Sequence, residues 1–245
     1  MGVRRDWELR AKQNPLYAID ASRRAWTLDD FYARGLELVN DILEPALARL
    51  GVDPTGKRVL EIGCGMGRLF PGLLGYFGEV WGIDISAEMI AKGKAHCPVD
   101  ATWLHGDGRS LHPVKDTSVD HVLSYEVFQH IPDVPVIESY LAETWRVLRL
   151  GGTFQLQLRC GSDTRRQAVV RAMPRLMRGF VGKILQLSKV LPIGGHIDTW
   201  LGCVVSPEDL YSAARDMGFI DVAVMPDCLH PPGMGFWLVA RRPAA

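Results

Sequence analysis

Between Asp29 and Gly51 apolar residues recur at helical spacing, at Phe31, Leu36, Val39, Ile42 and Leu43, and the pattern stops at Gly51 with Pro54 beyond. The spacing predicts one long helix. From Lys57 the period changes: apolar runs at about 58–62, 79–84, 101–105, 119–124 and 153–158 read as strands, and stretches at about 67–77, 87–95 and 136–148 read as helices between most of them. Strands that alternate with helices require right-handed crossovers, which produce a mostly parallel sheet covered on both faces. The predicted fold is α/β and doubly wound.

The alternation breaks near Cys160. From Thr164 to Ile197 no acidic residue occurs, while Arg165, Arg166, Arg171, Arg175, Arg178, Lys183 and Lys189 accumulate among apolar positions. That stretch reads as a helical insertion whose apolar side covers the active site or pairs with a second copy of the chain, and whose arginines suit an anionic substrate. Ser206, Pro207 and Gly218 then mark the N-cap, first turn and stop of a closing helix, and two strands follow at about 219–225 and 235–240, an antiparallel pair. Four segments result: an N-terminal arm and helix (1–56), an α/β core (57–159), the basic insertion or lid (160–204) and the closing helix with two strands (205–245). Residues 1–28 are polar with scattered aromatics (Trp7, Tyr17, Trp26), a frayed arm or a lid over a neighbouring site.

Lys plus Arg and Asp plus Glu are both 28, so no global field would collect nucleic acid or a membrane surface. The five cysteines are odd in number and widely spaced, against a disulfide framework or zinc site. With no signal-peptide core and no apolar run of membrane-spanning length, the expected location is the cytoplasm.

Chemistry concentrates in "VLEIGCGMGRLF", Val59 to Phe70. Gly63, Gly65 and Gly67 let the backbone approach a ligand, whereas the dinucleotide pattern G-x-G-x-x-G fails at Arg68. Glu61 precedes the glycines, Asp84 ends the next strand where doubly wound folds place a carboxylate for ribose hydroxyls, and Asp107 and Glu126 follow two further strands. An acid before alternating glycines suits a ligand with a carboxylate, a ribose and a positive centre.

"VLEIGCGMG", "VWGIDIS", "LHGDGRSL", "VDHVLSYEVFQHIPD" and "RVLRLGGTFQLQL", taken in order, resemble the motifs of class I S-adenosylmethionine-dependent methyltransferases over roughly residues 57–158. The resemblance implies a Rossmann-like, seven-stranded sheet with its last strand antiparallel and S-adenosyl-L-methionine as cofactor. It places Gly63, Gly65 and Gly67 along the methionine part, Asp84 at the ribose, Ile85 and Met89 near the adenine, and Asp107 with Gly108 at the adenine amino group. "YEVFQHIPD" is similar to the E-x-x-E-H segment of small-molecule O-methyltransferases such as those of ubiquinone biosynthesis, where two acids and the histidine have been linked to a divalent metal such as Mg. Gln129 stands where the second acid would be, a poor ligand for a hard cation.

An imidazole titrates near pH 6.5, so His130 is the candidate general base for O-methylation of a small hydroxylated metabolite such as a sugar, with Glu126 beside it. Candidate acceptor contacts are Tyr125, Phe128 and Gln129 after the fourth strand, and His196, Asp198 and Trp200 from the insertion. The same residues suit a small amine. An RNA or protein acceptor held by the insertion, or a catalytically silent cofactor-binding protein, completes the alternatives.

Overall fold

A computed structural model of the chain describes residues 2–23, 25–159, 172–174, 177, 180, 181, 183, 184, 202–231 and 234–244. Most of the insertion, with His196, Asp198 and Trp200, lies outside them. The N-terminal region forms α1 (Gly2–Gln13), α2 (Pro15–Ile19) and α3 (Leu28–Leu50). The core follows as β1 (Arg58–Ile62), α4 (Phe70–Leu74), β2 (Glu79–Asp84), α5 (Ala87–His96), β3 (Thr102–His105), β4 (Val119–Ser124), a 3-10 turn (Phe128–His130), α6 (Val134–Val147) and β5 (Leu148–Arg159). After the insertion come α7 (Pro207–Asp216), β6 (Ile220–Pro226) and β7 (Gly235–Arg241).

The seven strands lie in the order β3-β2-β1-β4-β5-β7-β6. β1 to β5 pair in parallel, and β7 runs antiparallel to both β5 and β6. Because side chains alternate along a strand, Val59, Leu123 and Val239 face one layer, with α3, Phe70 and Leu73, while Leu60, Val122 and Leu238 face the other, with Ile137, Leu141 and Leu210. The chain leaves β1 toward β3 on one side and returns to β4 on the other. A crevice at the carboxyl ends of β1 and β4 is the topological result.

Local signals place several boundaries. Thr27 caps α3 by accepting the Asp30 N–H, and Gly51 ends it in the left-handed region at φ 60°. Ser206 caps α7 in the same way by accepting the Asp209 N–H. Two expectations need correction. The helix expected over 67–77 is only the single turn Phe70–Leu74, because the chain stays in turns through Leu69. Arg68 therefore precedes this helix rather than opening it. Leu36 is 55% exposed, and the buried face of α3 runs instead through Gly35, Leu38 and Val39, where Gly35 lets the helix touch the Arg68 carbonyl.

Cys64, Cys97 and Cys228 are free thiols. Among the described residues no helix is long and apolar enough to cross a membrane.

Candidate active site

A cavity of about 570 Å³ opens at the carboxyl ends of β1, β2 and β4. Its floor is the glycine loop. Gly63, Gly65 and Gly67 all hold positive φ, 72°, 54° and 72°, a region in which side chains with a Cβ are strained. The three glycines serve different neighbours. A Cβ on Gly63 would collide with Val127 and one on Gly65 would meet Ile19, both around the cavity, whereas one on Gly67 would meet Trp103 and Phe70 in the core.

Glu61 is 5% exposed, and its Oε2 has no hydrogen-bond partner. Burial pushes its carboxyl up to about 8, against the pull of the Arg68 charge and with help from Asp84. Asp84 is held by two backbone donors, the Gly65 N–H on Oδ2 and the Ser86 N–H on Oδ1, each at 2.8 Å. Burial raises its carboxyl above the usual range despite them. Ser86 caps α5 by accepting the Met89 N–H. Ile85, Met89 and Gly108 form an apolar end of the cavity. Asp107 is exposed and does not line it: Oδ1 accepts the N–H groups of Arg109 and Ser110, and Oδ2 accepts the Ser110 hydroxyl.

The opposite end is built by the turn after β4. Tyr125, Glu126, Gln129 and His130 line it, while Phe128 is buried in the core. Glu126 sits at φ 58°, a left-handed conformation unfavourable for a residue with a Cβ. Its Oε2 accepts from Arg68 at 3.1 Å and its Oε1 from His230 at 3.3 Å. Burial alone would raise this carboxyl, yet His230 and Arg68 outweigh it and leave it below the ordinary value. The His130 ring meets Trp7 edge-on, with centroids 5.2 Å apart.

The N-terminal segment completes the enclosure. Trp7, Arg10, Asn14, Tyr17 and Ile19 face the cavity from α1 and α2. Glu8 accepts the Ala87 N–H at the start of α5, Arg4 donates to the Gly106 carbonyl, and Asp20 pairs with Arg68 at 2.7 Å. Within residues 1–28, α1 and α2 pack along the cavity. The Asn14 cap with Pro15 at the first helical position was the local signal for α2, since Asn14 accepts the Tyr17 N–H. Sequence patterns did not single out Arg68 as an ion-pair hub, or His230 as a partner of Glu126.

No group of three or more His, Cys, Asp or Glu side chains among the described residues could hold a metal ion. The donor set also does not suit one: Glu126 is occupied by two cations, and Gln129 directs its amide N–H to the Glu126 carbonyl.

Residues 60–156 match a methyltransferase domain family. A Mycolicibacterium smegmatis protein with the name "Probable S-adenosylmethionine-dependent methyltransferase" is 35% identical over 112 residues, 45% of this chain and 41% of that protein. The chain thus spans less than half the length of that relative. A ubiquinone biosynthesis O-methyltransferase of Methylococcus capsulatus is 24% identical over 204 residues, 78% of each chain. In fold, the chain resembles magnesium protoporphyrin IX methyltransferase of Synechocystis, solved with bound S-adenosylhomocysteine, at a TM-score of 0.62 and 17% identity over 97% of both chains.

Proposed function

We propose that this chain, which belongs to the class I S-adenosylmethionine-dependent methyltransferases, moves a methyl group to the hydroxyl of a small metabolite, with His130 as the base that takes the hydroxyl proton. The observation that carries the cofactor half is Glu61, a buried carboxyl with an orphan oxygen on the wall of a cavity floored by glycine backbone. An unpartnered buried acid is costly unless a ligand cation answers it, and the methionine ammonium of S-adenosylmethionine is such a cation. Gly63 and Gly65 keep the floor clear of side chains, each Asp84 oxygen keeps a lone pair for a ribose hydroxyl, and Ile85 with Met89 offers an apolar wall to the adenine. The residues present therefore fit the cofactor. Asp107, occupied by its own turn, would contribute through Gly108 beside it rather than through its carboxylate.

When bound, S-adenosylmethionine supplies a methyl group already made electrophilic by its sulfonium. The protein's work is then alignment, proton removal and exclusion of water. α1 and α2 cover the cavity, and Trp7 braces the His130 ring at the end where Tyr125, Glu126 and Gln129 also face inward. Glu126, held as a carboxylate by Arg68 and His230, is a weak base but a fixed hydrogen-bond acceptor for the acceptor hydroxyl, which leaves proton abstraction to His130. The ubiquinone O-methyltransferase relative supports a hydroxyl acceptor.

Calorimetry with S-adenosylhomocysteine tests the cofactor half; no binding rejects it. Transfer of labelled methyl into the small-molecule fraction of a cell extract, with the product identified by mass spectrometry, tests the rest. An O-methyl product, and its loss in His130→Ala, is the expected result; an N-methyl or RNA product, or full turnover without His130, rejects the acceptor or the base.

A further inference from the structure

Glu126 is held by more than its ion pair with Arg68. Its backbone N–H donates to Gln157 Oε1 at 2.8 Å, and Gln157 Nε2 donates to Asp227 Oδ2 at 2.7 Å. His230 Nδ1 donates to the same Asp227 oxygen at 2.7 Å, and its Nε2 returns to Glu126 Oε1 at 3.3 Å. These contacts close a ring that begins at the backbone of Glu126 and ends at its side chain. They draw on β5 and the β6–β7 loop, segments far from β4 in sequence. Asp227 is fully buried through its side chain, and its second oxygen accepts the Leu229 N–H at 3.1 Å.

We propose that His230, backed by Asp227, is a positioning residue of the transfer site that acts through Glu126, holding its carboxylate in one place at the acceptor end of the cavity. The ring explains why a residue with a Cβ persists at φ 58°, because a strained backbone survives only where its surroundings over-determine it. It also answers a problem of chemistry. A glutamate carboxylate is free to rotate, and an acceptor hydroxyl must meet it in a geometry that also faces the methyl donor. Fixing both the main chain and the carboxylate of one residue removes that freedom before the acceptor arrives.

The charge pattern agrees. With an acid on each ring nitrogen, both nitrogens donate, so His230 is an imidazolium; Asp227 first and Glu126 second hold its pKa at about 10. Arg68, Gln157 and Gln129 are the other polar groups on Glu126, Gln157 Nε2 also lies 3.3 Å from His230 Nδ1, and the Tyr125 ring lies beside His230 with centroids 6.2 Å apart. A histidine so held cannot serve as the base. Its contribution is therefore geometric and electrostatic, distinct from the one proposed for His130.

This role rests on the methyl-transfer reading above, and the test separates the two. The full chain and its His230→Ala, His230→Gln, Glu126→Gln and His230→Ala/Glu126→Gln variants are compared for S-adenosylhomocysteine affinity and for labelled-methyl transfer into an extract's small-molecule fraction. His230→Ala is expected to keep that affinity within about threefold while lowering the rate at saturating cofactor at least about tenfold, the scale of a misplaced catalytic group. His230→Gln, which keeps a donor toward Glu126, recovers part of the loss. In the Glu126→Gln background His230→Ala adds no further loss, because its action runs through the carboxylate. In a ¹⁵N-histidine spectrum both His230 ring nitrogens stay protonated at pH 8, and Glu126→Gln shifts their titration downward. Wild-type protein that binds no S-adenosylhomocysteine, or transfers no methyl, overturns the methyl-transfer reading and this role with it. Wild-type transfer matched by His230→Ala, or multiplicative losses in the double variant, overturns the positioning role alone.

Discussion

If Glu61 answers the ligand ammonium as proposed, cofactor binding is a proton-coupled event. Burial places its pKa at about 8 in the free protein, so at pH 7 only about one molecule in ten carries the charge that a ligand ammonium needs. The displacement from the ordinary value of 4.5 corresponds to about 5 kcal/mol of penalty on the ionised form, at about 1.4 kcal/mol per unit. An ammonium beside Glu61 offsets that penalty and draws the proton off. S-Adenosylhomocysteine affinity is then expected to rise about tenfold from pH 6 to pH 7 and about fivefold more by pH 8, with nearly one proton released per binding event at pH 7. Calorimetry in phosphate and in Tris, buffers of different ionisation heat, reads both quantities. Glu61→Gln should flatten the profile and weaken binding at pH 8. Equal affinities at pH 6 and 7.5, with heats independent of buffer, would refute the account. The same linkage has a sign for stability: between pH 4.5 and 8 the folded protein keeps a proton that the unfolded chain releases, so the ligand-free fold weakens across that window as pH rises.

Further outcomes follow from the neighbours of this carboxyl. Arg68→Ala strips the counter-charge from Asp20 and Glu126 at once, and urea unfolding should register a loss of about 3 kcal/mol, with faster hydrogen exchange across α1 and α2. Gly65→Ala should destabilise more than Gly51→Ala: both hold positive φ, costing about 1–2 kcal/mol each, but only at Gly65 does a new Cβ also press on Ile19, while the space at Gly51 is open. Equal melting shifts for the two would remove Ile19 from that argument. His230 has its pKa raised from 6.5 to about 10, so its stabilisation is complete below pH 6.5 and fades as pH rises through 10. Melting temperatures at pH 6.5, 8 and 9.5 should fall more steeply for the wild type than for His230→Gln.

Much of the frame was legible along the chain because it is written in local period and local hydrogen bonding. The apolar runs of β1, β2 and β4, the Ser206 cap and the glycines before Arg68 each act within a few residues of themselves, and strand alternation with helices implies the crevice where the cavity opens. The alternating glycines called for close backbone approach, although Gly67 turned out to make room for core aromatics. Four acids stand at or near the ends of successive strands in the sequence pattern. Folding separated them, turning Asp107 into its own loop while Glu61, Asp84 and Glu126 reached the cavity. The wholly tertiary features join distant segments: Arg68 meets Asp20 across 48 positions and Glu126 across 58, and His230 meets Glu126 across 104. No periodicity encodes such pairs. They exist because the crossover of the sheet brings strand ends together, and because α1, too polar for the core, finds its partners on the rim of a cavity that only the folded sheet creates.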